Sequence, residues 1–205
     1  MRTDTLETFL HSLADRVPAP GGGASAALSA AQAAALVEMA ARYSDGPKYA
    51  EHASAIAAIR TSAEEYREVA LALAAQDAEA FSEVGAAYRL PRSTEEEKAA
   101  RSAAIASALL AAGRVPASVI AVSAQLIGLT EQLRPLGNRN VISDIAVAAD
   151  AAAAATSSAR VNVEVNLGGI TDARARAELT EALTGVDDLL ARADKVTAAV
   201  REDIR

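Results

Sequence analysis

The chain has 205 residues and is 51% hydrophobic yet only 3% aromatic, with alanine its commonest residue and no cysteine. A net charge of −7, with no Lys/Arg cluster interleaved with aromatics, argues against nucleic acid as a partner. The missing cysteines exclude disulfides, thiolate metal ligands and a cysteine nucleophile.

A core of Ala, Leu, Val and Ile with few rings favours helices packed at short separations. The expected fold class is all-α: a bundle of long antiparallel helices forming a single domain over residues 1–205. The start, from Met1 to Glu7, carries acid and no hydrophobic signal region, and the apolar runs are alanine- rather than leucine-dominated. A cytoplasmic chain with no membrane partner is therefore expected.

A short first helix is expected over residues 4–15, ended by Pro18-Ala19-Pro20. A second runs over 22–42 and opens on Gly21, Gly22 and Gly23. A helix that starts on bare glycines presents unpaired backbone N–H groups at its positive end, a ready site for an anion or oxyanion. The same residues also suit close packing of two helices, at an entropic cost that alanine would avoid. Residues 43–47 read as a turn. Lys48, just after it, is a candidate counter-charge for an anionic substrate, although an exposed lysine is also ordinary surface.

The next helix is expected over 48–89, halted by Leu90-Pro91-Arg92. Helical spacing places Asp77, Phe81 and Tyr88 within about 40° of one another. A carboxylate, an aromatic face and a phenol then share one stripe, on which a flat heteroaromatic ligand can stack while Asp77 handles a proton or a cation. The plainer alternative makes Phe81 a core residue and Asp77 a solvated charge. Ser93 with Glu96 reads as a capping box, opening a helix to residue 132 with a kink near 113–116.

Residues 135–140, which include Asn138, form the clearest loop. A helix over 143–167 follows, with Asp144 at its start either as a cap or as an inward-facing acid that needs a partner. Val161, Val163 and Val165 favour a strand in isolation, but their helical context should prevail. Asn162 and Asn166 lie one turn apart between valines and want partners across a subunit interface or on a ligand. Gly168-Gly169 ends this helix, and Thr171 or Asp172 caps a last one. No linker or repeat divides the chain. Rods of 30–40 residues span about 45–60 Å, leaving apolar faces for a second copy to cover, and a homodimer is expected.

Other chemistries find little support. His11 and His52 are isolated, and nothing has metal-ligand spacing. Ser25 has no sequence-near base, and the glycine run lacks the Gly-Lys-Ser/Thr of a nucleotide-binding loop.

Five motifs occur in order: residues 20–27, Pro-Gly-Gly-Gly-Ala-Ser-Ala-Ala; 77–81, Asp-Ala-Glu-Ala-Phe; Tyr88-Arg89-Leu90-Pro91 followed by 94–98, Thr-Glu-Glu-Glu-Lys; Gly137-Asn138 with Ser143-Asp144; and Asn162-Val163 with Asn166-Leu167. Together they resemble the cyclodeaminase/cyclohydrolase family, which includes the cyclodeaminase domain of formimidoyltransferase-cyclodeaminase and stand-alone methenyltetrahydrofolate cyclohydrolases. The resemblance spans almost the whole chain. It implies an all-helical, dimeric, folate-dependent enzyme with no cofactor beyond the tetrahydrofolate derivative used as substrate. Asp77 then matches the acid credited with the chemistry, while the glycine-started helix, Lys48 and the loop with Asn138 border the folate site.

Two departures stand out: a single lysine precedes Tyr49 where relatives often carry a more basic run, and Arg139 replaces a small residue or proline between two asparagines. No formimidoyltransferase-like segment accompanies these residues, which favours hydrolysis of 5,10-methenyltetrahydrofolate over cyclodeamination of 5-formiminotetrahydrofolate. A non-catalytic helical scaffold and a non-folate anion binder are the alternatives from other classes.

Overall fold

The computed structural model describes residues 4–205, so the first three residues of the acidic start lie outside the described residues. The elements are α1 (Leu6–Ala14), α2 (Gly22–Arg42), a 3-10 turn (Pro47–His52), α3 (Ala53–Tyr88), α4 (Glu95–Leu136), a second 3-10 turn (Arg139–Val141), α5 (Ile142–Leu167), α6 (Ala173–Leu183) and α7 (Val186–Asp203). There is no strand among the described residues, and the helix of α5 carries straight through its three alternating valines.

α2, α3, α4 and α5 form the bundle, with α2 packed against all three of the others and α7 laid along α5. The packing follows from composition. Buried residues on α2 are mostly alanines set around most of its circumference, and a methyl-sized side chain lets neighbouring backbones approach closely. One continuous apolar core reaches from Ala26 on α2 to Val196 on α7. Among the described residues, Glu38 is the one charged side chain buried in the fold. It accepts from Arg42 Nη2 at 2.6 Å and from Arg67 Nε at 3.1 Å, tying α2 to α3. α1 contributes only Phe9 as a buried residue and leaves Leu6 and Leu10 exposed.

Several boundaries differ from the sequence expectations. The helix expected from residue 48 starts as the 3-10 turn, because Pro47 follows Gly46 at φ +98°. Thr94, not Ser93, caps α4: its hydroxyl accepts the Glu97 N–H at 3.1 Å, and the Glu97 carboxylate accepts the Thr94 N–H at 3.2 Å. α4 continues through Pro116 and Pro135 to Leu136, four residues past the expected end, since a proline in the last turn removes few helix bonds. α5 starts at Ile142 with Val141 in the N-cap position, so neither Ser143 nor Asp144 caps it. The single last helix is two, broken at Gly185 with φ +81°, a left-handed geometry that glycine adopts without strain. Asp172 caps the first of them, accepting the Ala175 N–H at 2.8 Å.

The apolar runs are longer than their alanine content alone suggested. By length and composition, three segments (Gly22–Arg42, Glu95–Leu136 and Arg139–Leu167) are apolar enough to cross a bilayer. In α2 alanine is the main source of that hydropathy, and 61% of its apolar window is buried inside the fold, whereas in α4 Ile, Leu and Val add to it.

Candidate active site

α2 begins without a side-chain cap of its own. Gly21 stands at the N-cap in extended conformation, and a glycine offers no oxygen to the first-turn amides. The missing acceptor comes from another helix: Asp77 of α3 accepts the Ala24 N–H on Oδ2 at 2.9 Å. The glycine run makes this approach possible, because a methyl group on Gly23 would run into the Asp77 carboxylate. The N–H groups of Gly22 and Gly23 have no hydrogen-bond partner among the described residues, leaving two donors beside the acid.

Two influences compete at Asp77. Burial pushes its proton affinity above that of an ordinary aspartate, and the Ala24 N–H pulls the other way without cancelling the rise. A carboxyl group with a raised pKa at a helix start is a candidate proton acceptor and donor.

Beyond Asp77, α3 overhangs the bundle. α2 stops at Gly22, so the same stripe of α3 continues uncovered through Phe81 and Tyr88, which are 53% and 51% exposed. The stripe drawn from helical spacing is therefore present, and Phe81 is an exposed ring beside the acid rather than a core residue. Tyr88 is held from α4, where the Arg101 guanidinium lies 5.6 Å from its ring centre and donates to the Tyr88 carbonyl at 3.1 Å. On the opposite side, α5 brings half-buried Asn162 to the start of α2: a methyl on Gly22 would sit 3.6 Å from its Nδ2.

Lys48, Asn138 and Asp144 lie elsewhere. They sit at the far end of α2, whose 21 residues make a rod of about 30 Å. Asn138 has structural work there, its N–H donating to Ser44 Oγ and its Nδ2 to the Tyr43 carbonyl, both at 2.8 Å. The Lys48 ammonium lies 5.5 Å from the Tyr49 ring centre, and Asp144 is half-buried in the first turn of α5. Within one protomer, none of the three reaches Asp77. Antiparallel order already contained this separation. It groups the starts of α2 and α4 with the ends of α3 and α5, and the opposite ends at the other pole. The same rule brings Asn162 to Asp77, a juxtaposition that the sequence reading of the paired asparagines did not make.

The sequence pattern described as Formiminotransferase-cyclodeaminase matches residues 5–185. The chain belongs to this family. Among its relatives, a methenyltetrahydrofolate cyclohydrolase of Methylorubrum extorquens is 42% identical over 203 residues, covering 98% of this chain and 96% of that protein. A formimidoyltransferase-cyclodeaminase of Sus scrofa is 32% identical over 184 residues, covering 88% of this chain but only 34% of the pig protein. The crystal structure of a formiminotetrahydrofolate cyclodeaminase from Thermotoga maritima superposes with a TM-score of 0.82 at 33% identity, covering 98% of this chain and 95% of that one. The match runs across both poles of the bundle.

Proposed function

We propose that the protein hydrolyses 5,10-methenyltetrahydrofolate to 10-formyltetrahydrofolate, with Asp77 accepting and relaying protons. The observation that carries this reading is the half-buried Asp77 carboxylate bonded to the uncapped start of α2, with the near full-length match to the Methylorubrum cyclohydrolase in support.

The substrate carries a delocalised cation over N5, the bridge carbon and N10. The Asp77 carboxylate stabilises that charge and takes a proton as water attacks the bridge carbon. The resulting carbinol oxygen gains negative character as its remaining proton departs, and the free N–H groups of Gly22 and Gly23 are donors suited to it. The N5–carbon bond then breaks with protonation of N5, leaving the formyl group on N10. Overall, one water is consumed and one proton released. Phe81 offers a face on which the flat heterocycle stacks.

A homodimer belongs to the same proposal. α2 has no charged residue until Glu38, and α5 has none over residues 151–159, while Val147, Val161 and Val165 stand exposed on α5. A second copy laid antiparallel on this uncharged face brings its Lys48 pole toward the first copy's Asp77. That arrangement alone would give Lys48, Asn138 and Asp144 a part in substrate binding.

Loss of methenyl absorbance, read against the spontaneous rate, tests the reaction. Acceleration proportional to protein concentration is expected, and a rate equal to the uncatalysed one would overturn the proposal. The Thermotoga neighbour favours a second reading, in which N10 attacks a formimino carbon and ammonia leaves after protonation. Release of ammonia from 5-formiminotetrahydrofolate separates the two.

A further inference from the structure

The chemistry above gives no task to Asn162, although its amide stands against the start of α2. The orientation of that amide is fixed. Nδ2 lies 2.8 Å from the Ser158 carbonyl oxygen, and only the nitrogen of an amide can face a carbonyl oxygen. Oδ1 therefore points away as a free acceptor, with no hydrogen-bond donor on it among the described residues. The Asn162 carbonyl in turn accepts from Asn166 Nδ2 at 2.8 Å, so the next turn of α5 is braced as well.

Position adds to this. A methyl on Gly22 would sit 3.8 Å from Asn162 Oδ1, whereas a methyl on Gly23 would strike Asp77. Two side chains thus flank one bare helix start, Asp77 from the α3 side and Asn162 from the α5 side, with the two unpartnered N–H groups between them. One flank is an acid and the other a neutral acceptor. A second carboxylate there would compete with Asp77 for the substrate cation; a carboxamide orients a donor without attracting that charge.

We infer that Asn162 is a positioning residue, its Oδ1 accepting a hydrogen bond from an N–H of the substrate heterocycle and holding the ring across the start of α2. This rests on the folate reading above.

Steady-state kinetics on Asn162→Ala and Asn162→Ser, with thermal melting of each, test it. Serine keeps a side-chain bond to the carbonyl four residues back but is too short to reach a ligand. Both variants should raise KM for methenyltetrahydrofolate by about tenfold, the worth of one neutral hydrogen bond. The acid limb of the pH–rate profile, which belongs to Asp77, should stay in place. A wild-type KM in Asn162→Ser would show that the amide serves only its own helix and would overturn the inference, as would an unchanged KM in Asn162→Ala. Wild-type protein with no hydrolysis above background would instead remove the folate reading itself, a distinct result.

Discussion

At the scale of the residue, the decisive contact is the one between Asp77 and Ala24. Asp77→Asn keeps the shape of the side chain and an oxygen for the Ala24 N–H but removes the proton acceptor, so kcat should fall about 10²- to 10⁴-fold while the melting temperature is held. Activity equal to wild type in that variant would exclude Asp77 from the chemistry. The pH dependence follows from the direction of its shift. Because burial raises its pKa, the enzymatic rate should climb with pH through a midpoint above the ordinary aspartate range, and Asp77→Asn should lack that limb. Stability takes the opposite sign. The raised folded-state pKa favours the folded chain below the unfolded value, and this contribution is lost as pH rises through the folded one. Gly23→Ala tests the same contact from α2. Its methyl must displace the carboxylate, and a shift of about 1 Å there should cost about 10²-fold in kcat/KM.

At the scale of the element, α2 is held laterally by small buried side chains and, midway along α3, by the Glu38–Arg67 ion pair. Hydrogen bonding from Arg42, aided by Arg67, keeps the Glu38 carboxyl below its ordinary range against the opposing effect of burial. That stabilisation is present above the unfolded glutamate pKa and lost as pH falls through the lowered folded one. Arg42 is more than half exposed, so solvent screening limits the gain. Glu38→Gln should cost about 1–2 kcal/mol, a drop of about 2–8 °C in Tm, read by calorimetry at neutral pH and shrinking in acid. The helices themselves were legible in the sequence because alanine runs, prolines and glycine turns mark them locally. Register between helices was not. The cap on Ala24 comes from a residue 53 positions later, and no local pattern states how α3 slides against α2. Ser93 and Thr94 each have a glutamate three positions on, so spacing alone does not distinguish the Thr94 cap from its neighbour.

At the scale of the whole molecule, the two poles of the bundle account for what was legible of the site and what was not. Asp77, Phe81 and the glycine start converge at one pole, as a shared stripe and a bare helix end suggested. Lys48, Asn138 and Asp144 lie at the other, because motifs ordered along a chain of antiparallel rods alternate between ends. A dimer built on α2 and α5 would reunite them. Light scattering after size exclusion should give twice the chain mass, and Val161→Glu, which places a charge on the exposed face of α5, should shift it to the monomer. A wild-type monomer at micromolar concentration would remove the dimer.

The carboxylate that closes the first turn of α2 is the one proposed above to exchange protons, and in that scheme turnover is mechanically coupled to the turn. Each time Asp77 is protonated, the Ala24 amide loses its anionic acceptor and the leading edge of the helix slackens. Its chemical shift and its solvent-exchange rate thus become a direct readout of the protonation cycle, observable without any substrate bound.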